Sequence, residues 1–369
     1  MPCAMQAMTW ACLVPVNPDV QAVYGCLLGT AYGDALGLPY EGLSKQRAAK
    51  LLGAPDRFRL IGWPLYRGLV SDDTEHAVLT LQAWMQSQGN LSRFKTQLTR
   101  ALRCWLLLLP VGVGSATARA ILRSCVLRQA GVWSAGNGAA MRAPILGVLI
   151  EDETVLLAWI KTSTELTHCD PKAHWGSYVM ALAARFATQA RLQQQTIEPP
   201  AALAYIRAYV HHQPTRDLIH QVENSLKQGE CTHDFVQRTQ SAWGVSGYIG
   251  HTLPAVLHAW LSQPDQPLEA IAHLVACGGD ADSTAALLGG IMGAYHGATV
   301  FEPPMQACIE PILTPRYLQQ LAVQATTAAV PSTRVYLWRG LLIVTLLRNV
   351  LLLMVVLVHA FRRLLPPYR

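Results

Sequence analysis

Glycines at 25, 29, 33 and 37 fall four residues apart. In a helix that spacing sets all four on one ridge without side chains, where a second backbone can approach closely. A chain built this way is committed to tight helix-on-helix packing. Membrane-spanning dimers carry similar stripes, but Asp34 and Pro39 interrupt this one, so a close helix pair in a soluble core is the better reading. Asn17-Pro18-Asp19 reads as the start of this helix, with Asn17 as cap and Pro18 at the first helical position. Apolar residues recur at three- and four-residue steps over 77–85, 155–166, 174–187 and 285–295. Strand-like alternation is scarce; Asn137-Gly138 permits one hairpin, and the polar, Pro-ended stretch 190–200 reads as a surface connection. The expected fold class is therefore all-α. We expect an N-terminal tail over 1–18, one domain over 19–325 and a hydrophobic helix over 335–363.

With 51% hydrophobic and 14% charged residues among 369, the chain can bury a large core. Nine cysteines without a C-x-x-C pair argue against a disulfide framework and suit a reducing, cytoplasmic compartment. The opening segment has no basic residue before Lys45, which makes it a poor secretory signal. The net charge of +6 comes from the end of the chain: seven arginines and no acid follow Glu310, which leaves 22 basic against 23 acidic residues in the first 310. A body this neutral lacks the basic footprint of a nucleic-acid binder.

Acids are rare enough that their clustering carries information. They gather in GDALGLPYEGL (Asp34 to Glu41), in Ser71-Asp72-Asp73-Thr74-Glu75, and in Asp280-Ala281-Asp282-Ser283-Thr284. Each cluster lies among small or apolar residues, where a bare carboxylate is costly unless it is paired or holds a metal. SDDTE also fits a capping box, with Asp72 as cap and Glu75 answering it; Asp282 or Ser283 could likewise cap the helix over 285–295. A cap explains neither the second carboxylate nor the hydroxyl in each cluster, and both suit a hard cation with oxygen ligands. An EF-hand is excluded, because Ile291 stands where the bidentate Glu is required. A haloacid-dehalogenase-type phosphatase is excluded too, since no lysine follows Lys227. Two clusters about 200 residues apart suggest one shared site for two divalent ions, magnesium or manganese rather than zinc. The small-residue run Trp133–Arg142 can bring backbone N–H groups to phosphate oxygens or form a plain turn. Asp170 reads as the N-cap of a helix opening at Pro171, and the neighbouring His168 as a structural or functional histidine.

Six strings in order, GCLLGTAYGDALGLPYEGL, SDDTEHA, GNGAAMRAP, THCDP, SGYIGHTLPAVLHAW and GGDADSTAALLGGIMGAYHG, resemble the ADP-ribosylglycohydrolase family over about residues 21–297. The resemblance implies an orthogonal multi-helix fold, a site for two Mg2+ or Mn2+ ions, and cleavage of the bond between ADP-ribose and an acceptor. By that pattern Ser71, Asp72 and Asp73 supply one group of metal ligands, and Asp280, Asp282 and Ser283 the other. Glu41 falls near the scissile bond; Asn137, Gly138 and Ala139 fall on the diphosphate loop; His168 falls on a ligand-facing histidine. Serine stands at 71 and 283, and alanine at 281, where the family more often has threonine; Thr284 competes with Ser283 as a ligand. Loss of the acceptor builds an oxocarbenium-like transition state, so an acid is needed at the departing atom, with Glu41, Asp72 and Asp73 as candidates. The implied substrates are ADP-ribosyl-arginine on protein or a small ADP-ribose conjugate; a weakly active ADP-ribose-binding module is the alternative.

The stretches 340–347 and 350–358 flank Arg348-Asn349 and lie outside that pattern. Read as one helix they could just span a bilayer, at a cost of about 2.5–3.5 kcal/mol for the central arginine. They could also lie in the headgroup plane or pack on a partner, since Arg334, Arg348, His359 and Arg362 share one side.

Overall fold

The computed structural model describes residues 19–62, 64–127, 130–240, 243–327 and 339–364. Among the described residues, seventeen α-helices, two short 3-10 helices and one two-residue ladder, Leu43–Ser44 antiparallel to Gly278–Gly279, make up the regular structure. The glycine ridge lies at its centre. Helix Val20–Gly37 runs antiparallel to helix Ala281–His296, and a Cβ at Gly25, Gly29, Gly33 or Gly37 would lie under 3.0 Å from a backbone oxygen of the second helix. Those oxygens belong to Gly293, Gly289, Ala285 and Ala281, so the two backbones touch along four turns. The contact is reciprocal, because Gly289 and Gly293 meet the carbonyls of Gly29 and Gly25 in the same way. Every residue from Ala22 to Gly37 is buried, as expected for a central helix that is apolar all round.

The periodic segments are helices Asp72–Ser87, Glu153–Glu165, Pro171–Leu192 and Ala281–His296. Asp170 caps its helix by accepting from Lys172 N at 2.8 Å, with Pro171 in the first turn. Other readings need correction. The first helix is capped by Asp19, which accepts from Gln21 N at 3.0 Å; Asn17 and Pro18 lie outside the described residues, as does the rest of 1–18. Asn137-Gly138 forms no hairpin: it opens a 3-10 turn over Asn137–Arg142 that runs into helix Ala143–Leu149. The connection expected over 190–200 is confined to 193–198, since flanking helices reach Leu192 and begin at Pro199. The described cysteines are all free thiols.

The last helix of the body is Pro315–Thr326. The hydrophobic tail is one helix, Arg339–Leu364, and it lies against the body. Leu352 is fully buried beside Leu38, Leu60, Leu69 and Val111. Asn349 donates to the carbonyl of Leu108 at 2.9 Å, and His359 Nε2 lies 2.8 Å from the carbonyl of Leu60.

Candidate active site

Close packing of the two central helices determines what meets at their ends. Gly37 faces Ala281, so the C-terminal half of the first helix lies against the opening turn of the helix that carries Asp282 and Ser283. Asp34, one turn before Gly37, is fully buried and reaches the start of a third helix, Asp72–Ser87. Its carboxylate accepts from Ser71 N at 2.8 Å, Ser71 Oγ at 2.7 Å, Thr74 N at 3.1 Å and Thr74 Oγ1 at 2.5 Å. These bonds overturn the capping box read from SDDTE. Ser71 occupies the cap position without a side-chain cap bond, and the anion that satisfies the helix start comes from another helix. Glu75 does not answer a cap. It is buried, accepts from Trp105 Nε1 at 2.5 Å and pairs with Arg348 at 3.0 Å.

The two acidic clusters meet. Ser283 Oγ donates to Asp73 Oδ2 at 3.1 Å, joining residues 210 apart in sequence. Asp34, Asp72, Asp73 and Asp282 are buried and Asp280 is half-buried, and removal from water pushes each carboxyl above its ordinary value. Like charge adds to burial: Asp34, Glu41 and Glu75 raise Asp72, while Glu41, Asp280, Asp73 and Asp34 raise Asp282. Asp73 Oδ1 is buried with no hydrogen-bond partner among the described residues. Converging carboxylates with an orphaned oxygen fit a bound cation, which would supply the missing counter-charge. Glu41 differs from the others. It is partly exposed at the end of the turn Leu38–Tyr40 and acts electrostatically on both Asp72 and Asp282.

Thr284 Oγ1 donates back to the carbonyl of Asp280 at 2.8 Å, within its own helix, whereas the Ser283 hydroxyl faces the acids. Asn137 Nδ2 donates to Asp280 Oδ2 at 2.6 Å and to Thr252 Oγ1 at 3.0 Å, which ties the small-residue loop to the second cluster. Asn137 N donates to the carbonyl of Gly247 at 2.9 Å, so the SGYIGHT segment supports the same loop. His168 is buried beneath Gly136 and Gly138, with Nδ1 at 2.9 Å from Thr167 Oγ1. Burial and the nearby Arg142 push it down to about 3, so it is neutral. Arg142 is itself fully buried, held by Ser163 and Thr167, and lowered to about 9 by burial.

Sequence reasoning missed two residues of this site. Asp34 was visible only as a member of a cluster, not as the anchor of another helix. Gly112, at φ +96°, passes so close to Asp72 that a Cβ there would fall under 3.0 Å from the carboxylate oxygen. An isolated glycine in a loop gives no sign of that. A cavity of about 810 Å³ lined by Leu203, Glu223, Cys231, His233 and His273 contains none of the predicted site residues.

The family model for ADP-ribosylglycohydrolase matches residues 17–333. The chain belongs to the ADP-ribosylglycohydrolase family. It is 27% identical to the ADP-ribosyl-[dinitrogen reductase] glycohydrolase of Rhodospirillum rubrum over 74% of this chain and 85% of that protein. It is 24% identical to the ADP-ribosylarginine hydrolase Tri1 of Serratia proteamaculans over 79% of this chain and 76% of that one. It is 23% identical to the ADP-ribosylhydrolase ARH3 of Xenopus tropicalis, covering 74% and 86%. A solved ADP-ribosylglycohydrolase-related protein complex shares the fold, with a TM-score of 0.59 at 24% identity, covering 83% of this chain and 97% of that one. As an ADP-ribosylglycohydrolase the chain is a glycosidic-bond hydrolase, and its tail helix begins beyond the region that the family matches.

Proposed function

We propose that the chain is a metal-dependent hydrolase that releases ADP-ribose from arginine on protein. The observation that carries this reading is the meeting of Asp73 and Ser283 in a buried group of carboxylates with one oxygen unpartnered. Ser71, Asp72 and Asp73 from one helix start, and Asp280, Asp282 and Ser283 from another, are the groups that would hold two Mg2+ or Mn2+ ions. Bound there, such ions would orient the ribose hydroxyls and lower the pKa of a water. The chain's own groups do the rest. Glu41, the partly exposed acid beside Asp72 and Asp282, is placed to give a proton to the departing nitrogen; a guanidine leaves poorly without one. Asp72 and Asp73 remain as alternative proton donors. Asn137, Gly138 and Ala139 are the loop for the diphosphate, and His168, a neutral ring against that loop, belongs with them to the substrate-binding group. The arginine acceptor is supported by a relative named as an ADP-ribosylarginine hydrolase. We place the catalytic unit over 19–325, in the cytoplasm, and read 335–363 as membrane-associated.

The test is incubation with arginine-, serine- and cysteine-linked ADP-ribosyl peptides and with free ADP-ribosyl-arginine, following ADP-ribose release with and without chelator. Release from the arginine-linked peptide that chelator and Asp72→Ala both abolish is the expected result. Preference for the free conjugate would move the substrate to small molecules. Tight ADP-ribose binding without release would make the chain a reader rather than a hydrolase.

A further inference from the structure

The tail helix is inside out. Over 342–361, where the side chains are described, the polar ones, Thr345, Arg348, Asn349 and His359, turn toward the protein, and every exposed side chain is apolar. Arg348 is buried and pairs with two carboxylates, Glu75 at 3.0 Å and Glu310 at 2.7 Å, and it also donates to the carbonyl of Val70. At 100° per residue, Ile343, Leu347, Val350, Met354, Val358 and Phe361 fall on the opposite side and form a continuous exposed strip. A soluble protein facing only water would carry the reverse pattern.

We propose that this outer face is a membrane-docking surface: the helix lies in the plane of an anionic bilayer, apolar side down, while Arg348 keeps its other side fastened to the catalytic body. The proposal rests on the membrane reading of 335–363 given above and narrows it to one geometry. Crossing the bilayer would require pulling Arg348 away from two buried carboxylates and setting it in hydrocarbon, with costs at both ends. Lying in the interface keeps all three charges paired. The charge pattern selects lipid as the occupant. The helix opens at Arg339 and closes on Arg362 and Arg363, and no acid occurs after Glu310, which suits anionic headgroups. A second copy would set this same acid-free, arginine-bearing segment against itself. The strip also lacks the polar side chains and, Phe361 apart, the aromatic rings that protein interfaces favour. The matched family region ends at residue 333, so the helix is an addition to the hydrolase body.

The full chain tests this with vesicles of phosphatidylcholine alone and of phosphatidylcholine mixed with phosphatidylglycerol. The expected result is flotation with the mixed vesicles, weakened by salt and released by alkaline carbonate. Leu347→Glu with Met354→Glu should weaken partitioning by at least about tenfold. Both positions are exposed, so the thermal unfolding temperature of that variant should match the parent and report that it folds. Flotation that resists carbonate would keep the membrane reading and overturn the in-plane geometry in favour of spanning. No flotation with either vesicle would overturn both, and a soluble dimer dispersed by the same substitutions would assign the face to a second copy.

Discussion

Asp34 does for the site what its sequence position does not advertise. One carboxylate satisfies the backbone donors of Ser71 and Thr74 and both their hydroxyls, fixing the turn that presents Asp72 and Asp73. In Asp34→Asn an amide N–H₂ must face those donors. We expect a loss of about 1–3 kcal/mol in chemical denaturation and weaker cation binding in calorimetry. Gly112→Ala acts on the site from above. A methyl group at that left-handed position collides with Asp72, so cation affinity should fall by about tenfold or more, with a smaller change in unfolding temperature. The acids at 72, 73, 280 and 282 were legible because carboxylates are scarce in this chain and costly among small apolar neighbours. Asp34 and Gly112 were not, because their roles depend on contacts across 37 and 40 residues of sequence.

The elements meet through backbone contact more than through interlocking side chains. Gly33→Ala would place a methyl group against the carbonyl of Ala285 and force the two central helices apart. Overpacking of this kind costs about 1–3 kcal/mol or more, measurable by urea denaturation, and it should also weaken cation binding because those helices carry Asp34 and Asp282. The spacing of four glycines announced this contact, and the structure supplies the partner helix. The tail was less legible. Periodicity placed Arg348 on one side of a helix but could not say that Glu75 and Glu310 wait there. Arg348→Met leaves both carboxylates buried without their cation and should cost about 3–5 kcal/mol in the same assay. Adding Glu310→Gln should recover part of the loss, as coupling between contacting charges requires.

At the scale of the molecule, neutral histidines held wholly or partly out of water set the acid limit. Burial lowers His168 to about 3 and His174 and His258 to about 4, against an unfolded value of about 6.5. A histidine depressed in the fold contributes fully above the unfolded value, and its contribution is lost as pH falls toward the folded one. With magnesium present, the unfolding temperature should therefore decline from pH 6.5 to 4, and His174→Gln should make the decline shallower. An unchanged slope in that variant would contradict the assignment. The fold class, the central helix pair and the two acidic clusters could all be read from the residues. The 3-10 turn at Asn137, the cap at Asp34 and the docked tail could not, because each is decided by a partner far away in sequence. The central claim is that one buried site is built by residues near 72 and 282 together. Manganese titration followed by electron paramagnetic resonance tests it on the parent, Asp73→Asn and Asp282→Asn. The account predicts that each substitution alone weakens binding at the same site. Full-affinity binding retained in either variant would contradict it.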